Sequence, residues 1–168
     1  MRFSVSNYQN HLKNHSFGSN IIYINKVKST NDEIWKYIDS NSPAIMVADE
    51  QISGRGRRDN TWFSQNYKSL TASIGIIENK NNPLLGQRVS LAISSAIFKV
   101  TGLPADVKWP NDILIKNKKV AGILIESKYN KNNRILNIGI GINVNIDTCD
   151  FPENLKNKIT SLSAEKMN

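Results

Sequence analysis

Alternating and clustered apolar residues mark several strands in the first half of the chain. Residues 21–27 are rich in β-branched side chains and alternate, which predicts a strand. The segment Ser29-Thr30-Asn31-Asp32-Glu33 then supplies cap-type residues before a predicted helix over 34–38. Apolar runs over 44–48 and 70–77 predict two further strands. The segment between these two strands is therefore expected to be a loop anchored at both ends.

The longest predicted helix runs over 83–100, and a run of strands follows it. Apolar residues occupy so much of this helix that it is predicted to be largely buried, and Thr101-Gly102-Leu103-Pro104 ends it. The strands that follow are predicted over 107–109, 113–115, 120–127 and 134–146, with turns over 116–118 and 130–133. A short helix with a frayed end is predicted over 152–168. The pattern predicts an α+β domain with a mixed, mostly antiparallel sheet and helices packed on it.

Composition places few limits on this picture. The 168 residues suit one domain, with 39% apolar and 21% charged residues. The formal charge of +8 favours anionic partners, although the lysines are scattered, which weakens the case for a nucleic-acid surface. Cys149 is the only cysteine, so a reducing cytoplasm is expected and a cysteine-based zinc site is not. We see no signal peptide and no apolar run of transmembrane length, and we predict no metal-ligand cluster.

The arginine loop, Gly54-Arg55-Gly56-Arg57-Arg58, is the densest cluster of charge in the chain. Two glycines let a ligand approach the backbone, and arginine offers paired donors to phosphate or carboxylate. The segment lacks the lysine of a P-loop and the third glycine of a dinucleotide fingerprint. It is either an anion-binding loop or a solvated basic turn, and its own residues leave both open.

A second motif, Lys108-Trp109-Pro110-Asn111-Asp112, follows the long helix. Proline beside turn-forming residues fixes a tight corner, which could present the lysine and the carboxylate together or could be a plain hairpin corner. Gly122 lies inside the next strand and marks either a bulge or the approach of a ligand. In the last strand Gly139 and Gly141 share one face, which is predicted to be left bare.

These segments, in this order and spacing, resemble the biotin protein ligases from about residue 21 to residue 162. The resemblance implies a fold like that of class II aminoacyl-tRNA synthetases and biotin synthetases. It implies a ligase that activates biotin with ATP and Mg²⁺ as biotinyl-5′-adenylate. The biotinyl group would then pass to a lysine of a biotin carboxyl carrier protein domain, in the cytoplasm.

The resemblance also assigns roles to residues. Ser29, Thr30, Asn31 and Gln51 would line the biotin pocket. Arg55, Arg57, Arg58 and Lys108 would neutralise the carboxylate and polyphosphate, and Asp112 would act as a base or orient Lys108. Trp62 would be a platform for adenine. The other expected ligand contacts are Gly54, Gly56, Asn111 and Gly122. By closing over the adenylate, the arginine loop would protect it from water.

Two departures from the family pattern bear on these expectations. Many members have Gly-Arg where this chain has Asp59-Asn60. The family also continues beyond Leu162 through helices and a small β-barrel, and some members carry an N-terminal DNA-binding domain. We therefore expect a single, C-terminally shortened catalytic domain over 1–168, with no DNA or membrane partner, and leave a homodimer open. The alternatives are a lipoate or octanoate-type acyl ligase of the same fold, a nucleic-acid-binding module, or a truncated inactive remnant.

Overall fold

The computed structural model describes residues 2–38, 43–78, 82–130 and 133–166. Within them the strands are β1 (Ile21–Val27), β2 (Ala44–Gln51), β3 (Ser69–Glu78), β4 (Asp106–Lys108), β5 (Asp112–Ile115), β6 (Lys118–Asn130) and β7 (Asn133–Asn143). The α-helices are α1 (Val5–His11), α2 (His15–Gly18), α3 (Thr30–Glu33), α4 (Leu85–Thr101) and α5 (Leu162–Lys166). Single 3₁₀ turns cover Ile34–Lys36 and Thr148–Asp150.

All seven of these strands form one sheet in the order β1-β2-β3-β7-β6-β5-β4. β1 and β2 are parallel, and every other neighbouring pair is antiparallel. The predicted α+β class with a mixed, mostly antiparallel sheet is therefore confirmed. The connection between β1 and β2 contains α3, because a parallel pair needs a crossover rather than a hairpin.

The element boundaries differ from the predicted ones where tertiary pairing extends or shortens a local pattern. The helix predicted over 34–38 begins earlier, at Thr30, and tightens into the 3₁₀ turn Ile34–Lys36. β7 ends at Asn143, three residues before the predicted end. The predicted turn over 130–133 includes residues 131 and 132, and the predicted frayed end includes 167 and 168; these four residues lie outside the described part of the chain.

The two faces of the sheet are covered by different elements. On one face, α4 packs Ile93 and Ile97 against a cluster from the sheet, which is formed by Ile113, Ile115, Val120, Ala121, Ile123 and Ile138. On the other face, Ile34 packs against Ala44 and Met46. Burying one such isoleucine contributes about 1.5–3 kcal/mol, so α4 and the 3₁₀ turn that follows α3 are both held by the sheet.

Helix α4 is less buried than its composition predicts. Within the helix, Ser90, Ile93 and Ile97 are buried, whereas Leu91, Phe98 and Val100 are 60%, 58% and 82% exposed. The prediction of a largely buried helix was wrong because a helix packed on one layer buries a single stripe at three- and four-residue spacing. The predicted stop is confirmed: Gly102 has φ 76° and donates its N–H to the Phe98 carbonyl at 2.8 Å.

None of the helices within the described ranges has both the length and the apolar character required to span a bilayer.

Candidate active site

A cavity of about 410 Å³ opens on the face of the sheet that carries α3. It lies between α3, the arginine loop, the corner before β5 and the middle of β6 and β7. Most of the residues predicted from the sequence line it: Ser29, Thr30, Asn31, Gln51, Arg55, Gly56, Arg57, Arg58, Trp62, Asn111, Asp112 and Gly122. Gly54 and Lys108 are not among the lining residues.

One end of the cavity is neutral and polar. Ser29, Thr30 and Asn31 are 1%, 3% and 5% exposed. Thr30 donates both its backbone N–H and its hydroxyl to the Gln51 side-chain oxygen, at 2.8 and 3.0 Å. Ser29 occupies the N-cap position of α3 but makes no side-chain capping bond there, so capping does not account for its hydroxyl. Buried hydroxyl and amide groups therefore converge at this end.

Asn31 is fixed in place by contacts on three sides. Its side-chain oxygen accepts from Ser73 Oγ at 2.7 Å, and its amide nitrogen donates to Glu126 Oε2 at 3.2 Å. Asn137 donates to the Asn31 backbone carbonyl at 2.7 Å. A Cβ at Gly139 would come within 1.9 Å of the Asn31 side-chain oxygen. Gly139 thus makes room for Asn31.

Trp62 packs against two further glycines of the sheet, Gly122 and Gly141. A Cβ at Gly141 would meet its indole at 2.3 Å, and one at Gly122 would meet it at 2.9 Å. Gly139 and Gly141 thus leave their face of β7 without side chains of its own, and Asn31 and Trp62 pack into that space while both glycines still line the cavity. The register shift in β5 and β6 lies between Ile113 and Leu114, so Gly122 marks a close approach rather than the bulge.

The arginine loop is the tip of a tight hairpin. Gly56 donates to the Asn60 carbonyl at 2.7 Å, and Trp62 donates to the Gly54 carbonyl at 2.8 Å. Arg58 and Asp59 form the turn with φ of 53° and 61°. Aspartate tolerates this left-handed conformation better than most residues, so Asp59 is compatible with the turn.

Two sets of contacts close the hairpin over the cavity. On one side, Arg55 forms ion pairs with Asp32 at 3.0 Å and with Glu126 at 2.6 Å. On the other side, Arg57 donates to the Asn111 side-chain oxygen at 3.2 Å. The loop therefore bridges α3 and β6 to the corner before β5.

The corner itself is anchored to the sheet through Asn111. Its side-chain amide donates to the Ile123 backbone carbonyl at 3.1 Å, and its backbone carbonyl accepts from the Ile123 N–H at 2.9 Å. The Trp109–Pro110 peptide bond is cis, and Trp109 is 73% exposed. Asn111 can thus hold Arg57 because β6 holds Asn111.

Asp112 has a different partner from the one expected. Lys108 lies opposite it in the β4–β5 register, but the carboxylate of Asp112 forms its ion pair with Lys119, at 2.6 Å. The Lys119 ammonium is 5.5 Å from the centre of the Trp62 ring, a distance at which a cation–π contact forms. Lys119 also lines the cavity, and sequence reasoning missed it. Its position three residues before Gly122 was the one available signal.

A second cavity, of about 450 Å³, lies on the opposite face of the sheet against the N-terminal segment. Its cations are already paired: Arg2 lies 3.6 Å from Asp49, and Lys68 lies 2.7 and 2.9 Å from Asp147 and Asp150. In the cavity beside the arginine loop Arg55 and Lys119 are also paired, but Arg57 and Arg58 form no ion pair with another described residue, so this cavity is the stronger candidate for anionic ligands. In the described ranges no group of three or more His, Cys, Asp or Glu side chains is arranged to hold a metal ion.

The sheet, the crossover helix and the arginine hairpin surround one cavity. The chain belongs to the biotin/lipoate A/B protein ligase family, whose model matches residues 23–145.

The chain is also similar in sequence to individual members of this family. The chain is 37% identical over 168 residues to the bifunctional ligase/repressor BirA of Bacillus subtilis, covering 96% of this chain and 52% of that protein. It is 33% identical over 127 residues to the biotin–[acetyl-CoA-carboxylase] ligase of Paracoccus denitrificans, covering 71% and 52%. The chain spans about half the length of these two relatives.

Solved structures show the same fold. The biotin protein ligase of Aquifex aeolicus in complex with biotin and ATP matches with a TM-score of 0.73 and 34% identity, over 89% of this chain and 62% of that one. The Leishmania major enzyme in complex with biotinyl-5-AMP matches with a TM-score of 0.72 and 26% identity, over 88% and 65%. A lipoic acid-bound protein from T. acidophilum has a TM-score of 0.59 at 9% identity, which concerns the fold alone.

Proposed function

We propose that this chain is the catalytic domain of an ATP-dependent biotin protein ligase. Biotin and ATP would give biotinyl-5′-adenylate and pyrophosphate, and a lysine of a biotin carboxyl carrier domain would then take the biotinyl group and release AMP. The observation that carries the proposal is one cavity with two chemically different ends. Buried hydroxyl and amide groups line one end, and Arg57, Arg58 and Lys119 line the other.

The neutral end suits the ureido group of biotin. A ureido edge offers both N–H donors and a carbonyl acceptor, and Ser29, Thr30 and Gln51 offer neutral partners of both kinds. A charged residue there would have to be desolvated without an opposite charge on the ligand, at a cost of several kcal/mol. A cavity of about 410 Å³ also falls in the usual range for small-molecule sites.

The cationic end suits the first chemical step. The biotin carboxylate is ionised near neutral pH, so its oxygen attacks the α-phosphorus without a general base, and pyrophosphate leaves. The obstacle is repulsion between two anions, which fixed cations at the site reduce. The hydrogen bond to Asn111 orients Arg57, and the ion pair with Asp112 orients Lys119. Mg²⁺, when bound, would supply further positive charge to the phosphates.

The second step needs a neutral amine, because a lysine ammonium has no lone pair to attack the adenylate. Asp112 is the carboxylate that lines the cavity, and its ion pair with Lys119 fixes its position. We assign Asp112 the orientation or deprotonation of the incoming lysine. The carrier would be a biotin-dependent carboxylase domain, as the name of the Paracoccus relative indicates for that protein.

Pyrophosphate release tests the proposal. Purified protein with MgATP should release pyrophosphate when biotin is added, and Arg57→Ala should reduce that release. Lys108→Ala tests the role that the family resemblance gives to this lysine, which does not line the cavity. Lipoate in place of biotin distinguishes the related acyl ligase. Release with lipoate alone, or no release with either acid, would overturn the assignment.

A further inference from the structure

Arg55 is held by two carboxylates from separate parts of the fold. Its Nε lies 3.0 Å from Asp32 Oδ1 in α3, and its Nη2 donates to both carboxylate oxygens of Glu126 in β6, at 2.7 and 2.6 Å. One guanidinium therefore joins the hairpin, the crossover helix and the sheet. Two negative charges already surround it.

Contacts other than the one with Arg55 hold Glu126 in place. The buried Asn31 amide donates to Glu126 Oε2 at 3.2 Å, and β6 holds the Glu126 backbone opposite Asn137 in β7. Its side chain is 29% exposed, against 53% for Asp32. Glu126 is the more fixed of the two carboxylates, and Asp32 completes the pair from the solvent side.

We propose that Asp32 and Glu126 form a carboxylate clamp on Arg55 that holds the arginine loop closed over the cavity. Asp32 and Glu126 act through Arg55, so all three are positioning residues. Arg57, Arg58 and Lys119 are then the cations that bind the substrate anions. The consequence for catalysis rests on the proposed function, whereas the clamp itself does not.

The ion pairs of the clamp are weak enough for the loop to open and close. Arg55 is 42% exposed, and ion pairs at such sites are individually weak and weakened by salt. Two such pairs bias the loop toward closure without locking it. The opposite contact, Arg57 to Asn111, joins a cation to a neutral amide and involves no carboxylate. Salt should therefore open the Arg55 side first.

Limited trypsin digestion measures loop opening without any substrate. Trypsin cleaves after arginine in segments that leave the folded surface, and the cleavage rate follows the open population. We expect Asp32→Asn and Glu126→Gln each to speed cleavage within 55–58 by up to about fivefold, the value that corresponds to one exposed ion pair. The double variant should be cleaved faster still and should lose most of the salt dependence. Asp32→Glu, which keeps the charge, should restore the wild-type rate.

Glu33→Gln is the matched control. Glu33 neighbours Asp32 in α3, but its ion pair is with Lys36 at 2.8 Å. This variant should leave loop cleavage unchanged. The clamp would be refuted if the Asp32 and Glu126 variants were cleaved at the wild-type rate, or if Glu33→Gln were cleaved as fast as they are, with circular dichroism showing all variants folded.

A second readout links the clamp to the reaction. In the absence of carrier, a clamp variant should release more biotinyl-adenylate into solution for each pyrophosphate formed. If neither the wild-type protein nor any variant forms pyrophosphate, the proposed function fails while the trypsin result still decides the clamp. If pyrophosphate forms and retention is unchanged in clamp variants with faster cleavage, closure does not retain the adenylate.

Discussion

Gly141→Ala tests the placement of Trp62 directly. The added methyl would lie 2.3 Å from Cε2 and 2.5 Å from Cζ2 of the indole, whereas ordinary contacts begin at 3.4 Å. The ring must therefore move by about 1 Å or more. An indole is rigid, so the whole side chain has to swing away from β7 and toward the cavity.

The magnitude follows from comparing three glycines. Overpacking of this kind costs about 1–3 kcal/mol, and we place Gly141→Ala at the upper end because the contact is with a rigid ring. Gly122→Ala meets Trp62 at 2.9 Å and a flexible Lys119 methylene at 3.1 Å, so its cost should be smaller. Gly86, in α4, has nothing within 4 Å of an added Cβ. Gly86→Ala should stabilise the protein by about 0.5–1 kcal/mol.

Thermal unfolding and tryptophan emission measure both consequences. For a chain of this length Tm changes by about 2–4 °C per kcal/mol, so Gly141→Ala should lower Tm and Gly86→Ala should raise it. Emission should shift to longer wavelength in Gly141→Ala as Trp62 becomes solvated. Equal stabilities of the Gly141 and Gly86 variants, with unchanged emission, would refute the packing of Trp62 on the sheet.

Three further predictions concern other residues. The Lys68 ammonium lowers the pKa of Asp150 below its ordinary 3.8, so this contact stabilises the fold above that pH and is lost as the pH falls through the lowered pKa. Lys68→Met should flatten the fall in Tm between about pH 5 and about pH 2, and an unchanged profile would count against the contact. Arg57→Gly, which removes the hydrogen bond to Asn111, should release adenylate that labels bystander lysines; full retention would contradict the lid. Asp112→Asn should slow transfer to the carrier more than pyrophosphate release, and an intact transfer rate with the same pH profile would exclude the base role.

Local sequence patterns predicted much of the fold. The strand over 21–27, the stop at Gly102 and the antiparallel run after α4 follow from periodicity and turn residues, which act over a few positions. The extent of burial of α4 did not follow, because an apolar composition does not specify how many layers cover a helix.

Sequence motifs identified most of the residues that line the cavity, but the pairings between these residues depend on register and distance. The ion pair of Asp112 with Lys119 arises because β5 and β6 lie side by side, with Asp112 opposite Gly122. Arg55 and Glu126 are 71 positions apart, and nothing local relates them. In the hairpin, Arg58 and Asp59 take positive φ, whereas Gly54 and Gly56 do not.

The cavity is formed by chain segments that are far apart in the sequence. Thr30, Arg57 and Asp112 reach it from the crossover, the hairpin and the corner, and Gly141 reaches it from the last strand. Contacts between segments this distant in sequence slow folding, because loop-closure entropy is lost before they form. A ligand that fits the cavity therefore recognises only the completed sheet, and at 100 times its Kd it should stabilise the protein by about 2.7 kcal/mol. Thermal-shift screening of small carboxylic acids, with and without nucleotide, would therefore rank compounds by how much binding to the folded cavity raises Tm.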